Sequence, residues 1–161
     1  MVLGSFDTDP KKGVLSLYVD SRVSVVTEEA KQWVAVTVLV FRGDRVLAMQ
    51  RASAEAAGAG IWEGISGRVE ADEDPLAAAK REVVEESGLR VRVRPRPVDT
   101  YAARRRGEPM TVIVFRAEHE GGEVVLSLEH DAYRWCSLEE LTELGVPARL
   151  IEAAHRARKV V

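Results

Sequence analysis

A single cysteine, Cys136, stands among 161 residues, so no internal disulfide can staple this chain, and its usage suits a reducing cytoplasm. It falls in the strand-like run Tyr133-Arg134-Trp135-Cys136, where buried packing is expected over nucleophilic duty. The N-terminus lacks a long apolar stretch, and neither a signal peptide nor a membrane span is expected. Positive charge is not in excess either. With 23 Lys and Arg against 26 Asp and Glu, the net charge of −3 offers no global attraction for a nucleic-acid polymer or a membrane. Internal repeats and low-complexity linkers are absent. What is present is the balance of a globular domain, 46% hydrophobic and 30% charged, in a chain long enough for one proper core.

The first 30 residues read as an extension. Residues 1–12 are polar, and Gly13 to Thr27 alternates Val, Leu and Tyr around Asp20-Ser21, which predicts an extra β-hairpin used for packing or homodimer contact. Residues 31–161 form the main domain. Trp33 to Phe41 and Arg45 to Gln50 are β-rich runs joined by a turn at Arg42-Gly43-Asp44. Small residues make 52–60 a loop. Leu89 to Val93, Val98 to Ala103, Met110 to Ala117, Glu123 to Leu128 and Ala132 to Cys136 are further expected strands, with Arg104-Arg105-Arg106-Gly107-Glu108-Pro109 as a hairpin tip. Ser137 with Glu140 is a capping box opening a helix that Gly145 ends, and Pro147 starts a last helix through about Arg158.

The most informative segment lies between Gly67 and Leu89. Asp74 caps a helix start, Pro75 suits its first position, and Gly88 is the stop, so a helix is expected over 75–87. Leu76, Ala79 and Val83 share its core face, while Glu82, Glu85 and Glu86 share a neighbouring one at i, i+3 and i+4. Like charges at those spacings repel by about 0.2–0.5 kcal/mol per pair. They also sit in the half of the helix whose dipole disfavours negative charge. Arg81 offers one charge against three. An isolated acidic helix end is ordinarily a solvated face; a hard divalent cation such as Mg²⁺ or Mn²⁺ is the better match for three carboxylates in this setting.

The setting is a motif. Gly67, Glu73, Arg81-Glu82, Val83, Glu85-Glu86, Gly88 and Leu89 meet all nine specified positions of the 23-residue pattern G-x5-E-x7-R-E-U-x-E-E-x-G-U, with U aliphatic. The segment therefore resembles the Nudix box. The resemblance implies an α+β fold, the Nudix α/β/α sandwich with a mixed β-sheet and C-terminal helices. It implies a hydrolase that uses Mg²⁺ or Mn²⁺ to cleave a phosphoanhydride in a nucleoside tri- or diphosphate derivative. Glu82, Glu85 and Glu86 then become metal ligands, with Ser66 supplying a backbone carbonyl. Glu82 is also a candidate to orient or deprotonate water, and Arg81 holds the cluster with Glu73 as its loop partner. Gly67, Glu73 and Gly88 are structural in the box.

The run Trp62-Glu63-Gly64-Ile65-Ser66-Gly67-Arg68-Val69-Glu70 departs from the common Pro-Gly or Gly-Gly step. It resembles the dihydroneopterin triphosphate pyrophosphatase branch more than the 8-oxo-dGTP branch. Serine at 66 is strained if that position needs positive φ.

Outside the box, Glu129 in Ser127-Leu128-Glu129-His130 is a candidate extra ligand or general base, the alternative being an exposed loop carboxylate. His130 reads as a loop or capping residue, and His119 and His155 as surface residues. Arg51 and Arg68 are candidates for phosphate contact, and the Arg104–Arg106 run is either a solvated turn or a polyphosphate guide. Trp62 and Tyr101 either pack or stack on a base. The expected partner is a small nucleotide or other diphosphate. Two other readings are a catalytically silent nucleotide-binding module and an isomerase of the isopentenyl diphosphate type, for which no supporting cysteine and glutamate arrangement is evident.

Overall fold

Val36 to Phe41 are all buried, because the strand that carries them is covered on both faces. In the computed structural model, which describes residues 31–54 and 58–160, this strand is β1 (Trp33–Arg42) at the centre of one mixed sheet. The hairpin expected within residues 13–27 lies outside the described residues. The chain continues through β2 (Arg45–Arg51), β3 (Trp62–Glu63), β4 (Ile65–Arg68), α1 (Pro75–Ser87), β5 (Arg90–Val93), β6 (Asp99–Arg105) and β7 (Glu108–Gly121). It ends with β8 (His130–Cys136), α2 (Leu138–Glu143) and α3 (Ala148–Lys159).

β1 pairs in parallel with β7 along nearly its whole length. Its other edge is shared, with β4 antiparallel along Ala35–Val38 and β2 antiparallel only at the Phe41–Arg42 end. β2 then turns to pair with β3 and β8, while the far edge of β7 takes both β5 and β6. The sheet therefore splays where β1 exchanges β2 for β4.

Alternation sets the two layers, since successive side chains on a strand point to opposite faces. Val36, Val38 and Val40 meet Ala78, Ala79 and Val83 of α1 in one core. Leu39 and Phe41 meet Leu150, Ala153, Ala154 and Ala157 of α3, with Leu138 and Leu141 of α2, in the other. The result is an α/β/α sandwich, as expected. Among the described residues no helix is long and apolar enough to cross a membrane.

Residues Glu123 to Leu128 are not the expected strand. The segment is irregular, and its N–H groups go to the end of α1: Val125 donates to the Ser87 carbonyl at 2.9 Å and Ser127 to the Glu86 carbonyl at 3.2 Å. Its apolar alternation serves packing under α1, where Val124 and Leu126 join the core. His130 is likewise no loop residue; it opens β8 and is 5% exposed. His119 is half-buried, edge-on to Trp135, not a plain surface residue, whereas His155 is exposed.

Candidate active site

The box helix begins and ends where local chemistry places it. Asp74 accepts from the N–H groups of Leu76 and Ala77 at 2.8 and 3.3 Å, and Gly88, at φ 65°, donates to the Val84 carbonyl. Its inward face contains the expected one and is wider. Ala79 and Val83 are buried and Leu76, half-buried, packs against the same core, while Ala78, Glu82 and Glu86 are buried with them. Two carboxylates are thus folded against the sheet, and no basic residue lies in the helix's last turn to compensate.

Arg81 organises the neighbourhood. Its Nε and Nη2 donate to both oxygens of Glu73 at 2.9 and 2.8 Å, and Nη2 also donates to the Arg68 carbonyl at 3.0 Å. Its Nη1 donates to Glu82 Oε1 at 2.7 Å and to Glu85 Oε2 at 3.0 Å. One guanidinium ties the loop after β4 to three glutamates, and those partners hold it protonated more firmly than usual. The Arg81 hydrogen bonds, helped by the Glu70 N–H, hold the Glu73 carboxyl down at about 2.

The helix carboxylates go the other way. Burial raises Glu82 despite Arg81 beside it. Glu86 is pushed up to about 9, first by burial and then by the charge of Glu82, against a weak pull from the Ser66 N–H at 3.4 Å. Glu63 and Glu129 add to the repulsion. His130 lies 3.8 Å from Glu63 and 3.9 Å from Glu86, with neither ring nitrogen hydrogen-bonded.

A hard dication fits this chemistry. The donors are carboxylate oxygens, two of them on groups whose ionisation is disfavoured first of all by burial. Gly67 supplies the cradle, because a Cβ there would collide with the Glu82 carboxyl. The glutamates are drawn to Arg81 and to the Ser66 N–H in this state. Among the described residues no group of three or more His, Cys, Asp or Glu side chains stands gathered as a cage. Ser66 lies in β4 without positive φ, so the strain considered for serine there does not arise.

A cleft of about 840 Å³ opens over these groups, lined among others by Arg51, Glu63, Gly67, Arg81, Glu82, Glu85, Glu129 and Tyr101. Ser66 and Arg68 also line it. Glu86 is buried and is not among the residues that line it. Arg51 faces the cleft while bonded to Glu63 at 2.8 Å. Trp62 does not reach it and packs against the α2/α3 core; Trp33 is the tryptophan on the cleft. Cys136 is buried in that same core with its thiol pushed up by burial, which leaves an isomerase-type cysteine without a place in the cleft.

Sequence reading missed Glu63, Trp33 and the burial of His130. Trp33 shares the face of Ala35 and Thr37 by simple alternation, and that was the available signal.

Comparison with known proteins follows the same lines. A family model described as NUDIX domain matches residues 31–159. A "MutT-like protein" of Streptomyces ambofaciens is 37% identical over 111 residues, 68% of this chain and 67% of that one. The bis(5'-nucleosyl)-tetraphosphatase (asymmetrical) of Mus musculus is 37% identical over 91 residues, and the aligned part spans 60% of its length and 52% of this chain. Among solved structures, the MutT protein from Methanosarcina mazei Go1 superposes with a TM-score of 0.72 at 26% identity, covering 83% of this chain and 97% of that one.

Proposed function

The chain belongs to the NUDIX domain family, and from that premise we propose that it is a Mg²⁺- or Mn²⁺-dependent pyrophosphohydrolase that cleaves a phosphoanhydride in a nucleotide derivative. The observation that carries this reading is the burial of Glu82 and Glu86 on the inward flank of α1, with Glu82 lining an open cleft and bonded to Arg81. Its relatives include a bis(5'-nucleosyl)-tetraphosphatase, by name an enzyme of phosphoanhydrides.

When bound, the dication supplies positive charge against the phosphate oxygens and acidifies water. Glu82, Glu85 and Glu86 are the side chains to hold it, with the Ser66 carbonyl as the backbone donor. Arg81 sets the rotamers of Glu82 and Glu85 by pulling both from one nitrogen. Glu82 has Oε1 engaged by Arg81, which leaves Oε2 to accept a proton from the attacking water. Glu129, which also lines the cleft, is the second candidate for that proton. Arg51, steadied by Glu63, and Arg68 present guanidinium groups to the phosphates.

The test is release of phosphate or pyrophosphate from a panel of canonical, oxidised, dinucleoside and pterin phosphates with each metal, for the wild type beside Glu82→Gln and Glu86→Gln. Each variant should lose about 10²–10³-fold in kcat. Unchanged turnover in both would remove these glutamates from the mechanism.

A further inference from the structure

The cleft continues past the glutamates over a floor fixed by strand register. Ala35 stands opposite Arg68 on one side and Val112 on the other, and Val112 stands opposite Tyr101. Two residues earlier on β1, Trp33 is opposite Met110, which is opposite Ala103. Alternation puts Trp33, Ala35 and Thr37 on one face, so the tryptophan marks the outer end of the floor.

There the cleft opens into a second pocket of about 280 Å³, lined by Trp33, Arg68, Arg105, Arg106 and Glu108. The first three of these also line the main cleft, which makes the two spaces continuous. Trp33 is 39% exposed, with the Arg68 Cζ 5.2 Å from its ring centroid. Arg51 and Arg81 are paired with glutamates, but among the described residues Arg68, Arg105 and Arg106 form no ion pair. The pocket therefore sets three guanidinium groups that carry no ion pair among the described residues, one of them beside the Trp33 ring, against the single carboxylate of Glu108.

The hairpin tip reinforces the point. Arg106 at φ 51° and Gly107 at φ 86° form a left-handed turn, for which asparagine or glycine is the ordinary choice. The third consecutive arginine takes that conformation against backbone preference.

We propose that this outer pocket is a binding station for the far end of a two-ended substrate, and that the substrate class is the dinucleoside polyphosphates. The proposal rests on the hydrolase reading above for its orientation. Arg68 follows Gly67 directly, so a phosphate chain leaving the glutamates meets its guanidinium first and then those of Arg105 and Arg106. The planar base at the chain's end stacks on Trp33. A mononucleoside triphosphate occupies the main cleft and carries no second ring to place in the pocket.

The experiment is a calorimetric titration, with magnesium present, of two methylene-bridged non-hydrolysable ligands: a dinucleoside tetraphosphate and the matching mononucleoside triphosphate. It compares the wild type with Trp33→Ala and with Arg105→Ser/Arg106→Asn, the asparagine preserving the left-handed turn. Loss of one stacked base or of charged hydrogen bonds is expected to lower the affinity ratio, two-ended over one-ended, by about tenfold. The hairpin-tip variant keeps the test valid if the tryptophan variant folds poorly. A ratio constant within about twofold in the hairpin-tip variant, or wild type that binds neither ligand, overturns the proposal. Wild type that binds the two-ended analogue but hydrolyses neither parent compound would refute the hydrolase reading and leave the binding station standing.

Discussion

Arg81 grips Glu73 through two parallel hydrogen bonds, Nε to Oε1 at 2.9 Å and Nη2 to Oε2 at 2.8 Å, while its remaining nitrogen holds Glu82 and Glu85. Lysine cannot reproduce this, because an ammonium lacks the planar fork. Arg81→Lys should therefore lower kcat by about 10–100-fold through misplaced glutamates. Steady-state kinetics at saturating metal check it, and a kcat within twofold of wild type would separate this arginine from the geometry of the helix.

Glu86 gives the metal-free protein an unusual pH dependence. Its folded value, about 9, lies above the ordinary 4.5, so folding favours the neutral acid. Its stabilising effect is full below pH 4.5 and is lost as pH rises from there through 9. Without metal, Tm should decline across this window by an amount on the order of 5 °C. Glu86→Gln should flatten the decline, and Mg²⁺ should raise Tm more at pH 8.5 than at pH 5, because only the ionised form binds. Thermal melts across pH, with and without chelator, decide it.

Glu73 acts at the opposite end of the scale. Its value is depressed to about 2, so its contribution is intact above pH 4.5 and disappears as pH falls from there towards 2. Glu73→Gln should lose stability at neutral pH and show a shallower acid limb. Acid titration followed by circular dichroism measures both.

Gly67 lies against the Glu82 carboxyl, and a methyl group there would displace it. Gly67→Ala is expected to cost about tenfold or more in kcat with little change in Tm, since the displaced atoms are the end of a side chain. A variant with normal kcat would show that Glu82 can relocate freely.

Arg51 faces the cleft from β2 and is steadied by Glu63. Arg51→Ala should raise KM for nucleotide by about tenfold while kcat changes less, the signature of binding shared by ground and transition states.

The helix limits were legible because their signals are local: a capping aspartate, a proline and a glycine in sequence suffice to mark 75–87. The nine-position motif identified the family for the same reason. Other features depend on partners remote in sequence. Glu123 to Leu128 has strand-like alternation, yet its N–H groups were claimed by the carbonyls of α1. The spacing of Glu82, Glu85 and Glu86 revealed a shared flank, but not that Glu86 is buried off the cleft wall with His130 3.9 Å away. Trp62, beside the box, is the tryptophan the sequence offers for a base; alternation places Trp33 with Ala35 and Thr37, but the fold is needed to show that this face meets the cleft.

The strap formed by residues 123–130 hangs from the last carbonyls of the box helix and is pinned on its far side where Ala52 donates to the Glu129 carbonyl at 2.7 Å. All three anchors, Val125, Ser127 and Ala52, use main-chain atoms. Apart from Val124 and Leu126, which pack into the core, and the buried His130, side chains along the strap can thus be replaced without moving it. Glu129, which is exposed, can be traded for another residue and a new preference acquired while the scaffold stays put.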